Sequence, residues 1–227
     1  METIQEKLKT ISSYTSKVMR MKFGRGPQLC YAVCNHGYLF LFIKGFISPL
    51  EVSLREQKQT DMMVQSRLNV MGGLLSELRG MIQIILQCEV EECYTDWNYE
   101  NDTGMITMKM SEEVKGAPFE KRQYNQVELI SVINRISAYV QKAPEKTVVY
   151  QLSPKVFLCE REGILILIEQ AFIQKGFEQM LRITKAELEK THFHHNEFKK
   201  LFCEEIQNIF VDWDFSKDKS VLCFVLE

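Results

Sequence analysis

Ile43-Lys44-Gly45-Phe46-Ile47-Ser48-Pro49-Leu50-Glu51 decides the fold, because Arg161-Glu162-Gly163-Ile164-Leu165-Ile166-Leu167-Ile168-Glu169 answers it later in the chain. From Gln28 to about Glu51 the overlay holds at a constant shift of 118, which carries Gly45 onto Gly163 and Glu51 onto Glu169. An extended apolar stretch precedes the glycine in both copies. Further on, Asp96-Trp97-Asn98-Tyr99 meets Asp212-Trp213-Asp214-Phe215 at a shift of 116, so the second copy is two residues shorter between the landmarks. The spacing predicts a tandem duplication of the 227-residue chain: one repeat over 1–112, a linker over 113–123 and a second repeat over 124–227. Each repeat has roughly 110 residues, a common size for a domain with its own core.

Around the quoted stretch the periodicity changes in the same order in both copies. Ile4, Leu8, Ile11, Val18 and Met19 recur at helical spacing, as do Val127, Ile130, Ile133, Ile136 and Val140. Each stripe leads into two extended runs: 29–34 and 38–44 across Asn35-His36-Gly37, and 147–152 and 156–160 across Ser153-Pro154. These are hairpins. Tyr38 to Ile43 is apolar at every position, which predicts a central strand covered on both faces. A helical stretch follows in each copy, from Met62 to Cys88 and from Met180 to Phe202, with Gly72-Gly73 as a point of breakage or tight packing in the first. Two more extended segments close each repeat, near 93–97 and 105–110, and near 209–214 and 221–226. The expected fold is α+β: two tandem repeats in the order α-β-β-α-α-β-β, each an antiparallel sheet covered by helices.

Composition narrows the function classes. Hydrophobic residues make up 45% and charged residues 26%, the usage of an ordinary folded domain. A formal charge of −2 offers polyanions no global attraction, so no nucleic-acid partner is expected. Seven cysteines form an odd set, and the polar start METIQEKLKTISSY lacks the apolar core of a signal peptide. Both point to the cytoplasm and reduced thiols. Apolar runs as short as Tyr38 to Ile43 fall far below the roughly 20 residues of a membrane-spanning helix.

Ser48-Pro49-Leu50-Glu51 reads as a helix start, with Ser48 as cap, Pro49 in the first turn and Glu51 returning to the cap. Glu169 stands three residues after Ile166, which has no oxygen to offer, so capping alone does not account for both acids. The alternative makes Glu51 and Glu169 a pair of acids meeting across a pseudo-twofold axis over a cation or proton. Lys22, Gly24, Arg25 and Gly26 are the candidate anion site; the competing reading is a helix ended by Gly24 with cations at its negative pole. Trp97 and Trp213 are candidate interface residues or repeated packing positions. Met105, Met108 and Met110 read as one strand face, adaptable core or docking surface. His192, His194 and His195 lack a second ligand cluster at recognised spacing, and Cys30 and Cys34 lie about 13 Å apart along a strand. No metal, cofactor or catalytic residue is expected.

Gly24-Arg25-Gly26-Pro27, the hairpin, the run from Ile43 to Glu51 and the closing strand together resemble the MpsC family, over most of residues 1–110. The second half is similar to a diverged copy that keeps the Gly163 and Glu169 positions and loses Gly-Arg-Gly-Pro and Ser-Pro. The family is named after a sodium-translocating, membrane-potential-generating system whose membrane components have also been connected with inorganic-carbon uptake. The resemblance implies a non-enzymatic cytoplasmic accessory or regulatory protein, peripheral to a membrane transporter complex that is its partner, with the fused repeats standing in for a homodimer and further homo-oligomerisation compatible. Two alternatives accompany it: a sensor of a small anion or metabolite, and an enzyme of unknown class. The family supplies no catalytic residues to carry over.

Overall fold

A computed structural model describes residues 2–193 and 195–227, excepting the side chains of His195 and Asn196. The chain divides into two units: the first takes in residues up to Cys93 and Trp97–Ala117, the second Tyr94–Asp96 and Pro118–Glu227.

In the first unit α1 (Ile4–Phe23) begins at a capping box, Thr3 accepting from the Glu6 N–H and Glu6 returning to the Thr3 N–H. It ends at Gly24, whose left-handed backbone costs a residue without Cβ little. Strands β1 (Leu29–Asn35) and β2 (Tyr38–Lys44) pair antiparallel across His36-Gly37, both with positive φ, as a tight hairpin turn requires. Helices α2 (Pro49–Glu56) and α3 (Thr60–Leu86) follow, then β3 (Val90–Asn98) and β4 (Thr103–Met110). The sheet order is β1-β2-β4-β3, which makes β2 and β4 the central strands.

The second unit repeats this plan. Helix α4 (Gln126–Val140) leads to β5 (Lys146–Ser153) and β6 (Val156–Glu162), then to α5 (Leu167–Gln174), α6 (Glu178–His192) and α7 (His195–Phe202). Strands β7 (Ile206–Asp214) and β8 (Lys219–Leu226) complete a sheet of order β5-β6-β8-β7. The expected α+β class and antiparallel sheets are present. Two elements are added: the second long helical stretch is broken into α6 and α7 around Phe193, and a short 3-10 turn, Phe215–Lys217, joins β7 to β8.

Alternation along β2 explains the cores. Leu39, Leu41 and Ile43 join Ile106, Met108 and Met110 of β4 under α1 (Ile11, Val18) and α3 (Leu74, Leu78). Tyr38, Phe40 and Phe42 on the other parity are buried as well, as the all-apolar run predicts. Met105 does not join Met108 and Met110 in that core, because an odd separation on a strand puts it on the opposite face. All three methionines are buried, so they form no exposed docking surface. In the second unit β6 and β8 sit under Leu129 and Ile133 of α4, while Phe198 and Phe202 of α7 pack at a tilt against Phe224. Gly72-Gly73 neither breaks α3 nor packs tightly: the helix runs through them, and a Cβ on either would meet nothing within 4 Å.

Candidate functional site

The quoted stretch forms a latch at the end of β2. Gly45 has φ 72° and gives its N–H to the Asp102 carbonyl, and the next two N–H groups, Phe46 and Ile47, both donate to Asp102 Oδ1 at 2.8 and 2.9 Å. A Cβ at Gly45 would lie 2.4 Å from the Gln28 side chain. Three backbone donors that follow the strand are thereby satisfied by one residue of the β3–β4 turn. The second unit does the same with Gly163 (φ 68°), Ile164 and Leu165 on Asp218.

The chain then enters α2 at Ser48. The Ser48 N–H donates to Glu51 Oε2 at 2.8 Å, and Ser48 Oγ accepts from the Glu51 N–H at 3.3 Å. Capping does not exhaust Glu51. Arg67 of α3, 16 residues on, donates to both carboxylate oxygens, Nε at 2.6 Å and Nη2 at 2.7 Å, a bidentate pair buried on both sides. The guanidinium carbon lies 4.3, 4.2 and 4.6 Å from the ring centroids of Phe23, Phe46 and Trp97. Nη2 also reaches the Phe46 carbonyl, whereas Nη1 is buried without a hydrogen-bond acceptor. Gly104 makes room for Trp97: a Cβ there would fall 2.2 Å from the indole.

Glu169 occupies the matching place in the second unit. Its carboxylate accepts from the Ile166 N–H at 3.0 Å, but Ile166 returns nothing, so only half of the capping box exists. Its cation is Lys185 of α6, again 16 residues on, with Nζ 2.6 Å from Glu169 Oε1. Lys185 lies over Trp213 and also donates to Gln141 Oε1. Gln141 passes the network on to Glu189 at 2.7 Å, and Glu189 pairs with Arg161 at 2.7 Å. Arg161 donates further to Ser137 and Ser220, each at 2.9 Å. Burial lowers the Lys185 pKa, with Glu169 working against the shift.

Each of the two acids singled out in the sequence is therefore held by a cation of its own unit. Trp97 is half-buried beneath Arg67, and Trp213 is buried with its Nε1 unpaired. The Lys22–Gly26 segment surrounds the end of α1: Lys22 Nζ is 3.7 Å from Glu77, Arg25 is exposed, and a Cβ at Gly26 would press on Arg20 and the Ser16 carbonyl at 3.2 Å. His192 meets Tyr139 edge to face, whereas His194 and the His195 side chain lie outside the described residues. Among the described residues no group of three or more His, Cys, Asp and Glu is placed to hold a metal. Burial pushes the Cys30, Cys34 and Cys159 thiols up to about 12, so they are protonated and poor nucleophiles at neutral pH.

The partners Arg67 and Lys185 escaped the sequence reading. The available signal was a charge in a buried helical stripe: Arg67 sits between Met63 and Met71 at spacings of four, and Lys185 stands four before Glu189. Both also obey the shift of 118.

Comparison with known families places part of the chain. Residues 3–112 match the family model described as Na+-translocating membrane potential-generating system (MpsC). No curated protein and no solved structure matches the chain.

Proposed function

We propose, from the match of residues 3–112 to the MpsC family model, that the chain is a non-enzymatic accessory or regulatory protein of a Na+-translocating, membrane-potential-generating system. We propose further that the second unit is a diverged copy of the first, retaining the latch and the acid–cation pair. The family match carries the reading. Two features are compatible with it: among the described residues no helix is long and apolar enough to cross a membrane. The buried charges at the latches are compensated internally, which suits a rigid scaffold better than a catalytic cleft. A tagged copy is to be recovered from gently crosslinked cells with the membrane fraction retained, and the co-purifying proteins identified by mass spectrometry. Enrichment of polytopic ion-transport subunits is the expected result; recovery of the chain alone from both soluble and membrane fractions would remove the reading.

A further inference from the structure

Strand β1 leaves part of its outer edge open. The order β1-β2-β4-β3 gives it one strand neighbour, and the two-residue turn at His36-Gly37 fixes which of its groups that neighbour takes. Asn35 and Tyr38 flank the turn as a hydrogen-bonded pair, so Val33, Tyr31 and Leu29 also bond to β2, while the backbone N–H and C=O groups of Cys30, Ala32 and Cys34 point away from it. The chain closes this row at both ends. The Gln28 N–H turns in to the Lys44 carbonyl at 2.8 Å, and the segment after β4 lies against Cys34, where a Cβ on Gly116 would fall 1.8 Å from the carbonyl oxygen. Between these limits residues 29–33 are all at least partly exposed, and the outward backbone groups of Cys30 and Ala32 have no hydrogen-bond partner among the described residues. Helix α1 does not cap them: Ser12 and Ser16 give their hydroxyls to the Leu8 and Ser12 carbonyls at 2.8 and 3.0 Å, and a groove lined by Ser12, Ser13, Ser16 and Cys30 runs between helix and strand.

An open row of backbone donors and acceptors is a template for another strand. The matching strand of the second unit, β5, begins at Lys146 and carries a register shift between Gln151 and Ser153, both of which blunt an edge. Strand β1 reads Leu-Cys-Tyr-Ala-Val-Cys-Asn, with no charge, no proline and no register shift. The length and symmetry of its row decide what pairs with it. Ordering five residues of a flexible peptide costs about as much as four hydrogen bonds return, or more, so the occupant is a strand that is extended beforehand. Cys30 and Ala32 stand one on each side of Tyr31, and each offers one donor and one acceptor, so a half-turn about Tyr31 maps the row onto itself: Cys30 of each copy meets Ala32 of the other. Tyr31 then faces its own mate with no like charge to repel it, its ring already held against Phe42 with centroids 5.2 Å apart, and Leu29, 47% exposed, meets Val33 of the second copy on the same face. We propose that β1 is a dimerisation edge, pairing antiparallel with β1 of a second copy of this chain about a twofold axis at Tyr31. The pairing goes beyond the accessory role and does not depend on it.

Purified full-length protein is to be measured by sedimentation equilibrium over a range of concentrations, where a mass rising to twice that of the chain is expected. Ala32→Pro removes an outward N–H and leaves the β1–β2 ladder whole; with its circular dichroism unchanged, it should weaken the dimer by at least about tenfold, each copy losing one donor. Tyr31→Cys is an independent reading: at the axis the two introduced thiols stand at a cross-strand distance that a disulfide spans, so mild oxidation with glutathione disulfide should join them, as peptide mass spectrometry identifies. A wild type that stays monomeric at every concentration, a dimer that folded Ala32→Pro retains, or a dimer in which the introduced thiols do not join each overturns the edge pairing. So does a monomeric wild type that binds members of a random peptide library through contacts that Ala32→Pro abolishes, since that result assigns the edge to a segment of another protein.

Discussion

The two units bury the same acid–cation pair in opposite surroundings. Glu51–Arg67 sits among Phe23, Phe46 and Trp97, whereas Glu169–Lys185 sits in a run of polar groups that continues through Gln141 and Glu189 to Arg161. Position by position the exchange is consistent. Gln141 stands where the first unit has Phe23, Arg161 where it has Ile43 and Glu189 where it has Met71, each at the shift of 118. The strand register agrees, since Ile43 pairs with Gly104 and Arg161 with Ser220. Where the first unit has an apolar layer, the second thus has a network whose four charges cancel. The lesson is that a stacked arginine needs one carboxylate and flat rings, while a lysine, a point charge with three donors, recruits further acceptors.

Breaking one member of the network should therefore have the largest effect. Glu189→Ala leaves Arg161 buried without its carboxylate and is expected to cost about 3–5 kcal/mol, read from urea unfolding. Met71→Leu at the matching place conserves volume and should cost less than about 1.5 kcal/mol. Equal losses would erase the distinction between the units.

Arg67→Lys probes the aromatic side of the comparison. The substitution keeps the charge and loses one of the two bonds to Glu51 together with the planar stacking, for an expected loss of about 1.5–3 kcal/mol. A near-neutral result would show that the rings do not discriminate between the two cations.

Alkaline pH should separate the units through their titrating groups. In the first, burial raises the Cys30 and Cys34 thiols from 9.0 to about 12. Unfolded thiols release protons from about pH 9 while the folded ones hold theirs, so stability falls as pH rises from 9 towards 12. In the second unit burial raises the Cys159 thiol likewise, but it is opposed by Lys185, whose folded pKa lies below the ordinary 10.5. Over the window below 10.5 the unfolded lysine binds more protons than the folded one, so this group gains stability with rising pH. Single-tryptophan variants, Trp213→Phe to report on the first unit and Trp97→Phe on the second, should show the steeper alkaline loss in the first. The reverse order would contradict the assignment.

The repeat, the hairpins and the element order were legible because they are set by local periodicity and by glycines with positive φ, both of which survive in a single sequence. The pairing of Glu51 and Glu169 with Arg67 and Lys185 was not, because it joins the start of one helix to the middle of another and the two cations differ in identity. Arg161 lies one residue beyond the strand read over 156–160, and only its burial beside Glu189 shows it to be interior. The break between α6 and α7 was not legible either, because no glycine or proline marks the end of α6 at Phe193.

The smallest effect belongs to α3. Gly72→Ala and Gly73→Ala fall at exposed helical positions with open space for a Cβ, and each is expected to stabilise by about 0.5–1 kcal/mol. The second unit has Lys190 and Thr191 at the matching positions, within α6, where no such gain is on offer. A loss at Gly72 or Gly73 would mean that a neighbour approaches that face.

The central claim, that the two units share one latch mechanism, is tested most directly by parallel double-mutant cycles: Glu51→Gln with Arg67→Met, and Glu169→Gln with Lys185→Met, each followed by urea unfolding. Coupling energies of about 1–3 kcal/mol at both pairs are expected. Coupling at the first pair with none at the second would contradict a shared latch and leave Glu169 as a residue that merely faces inward.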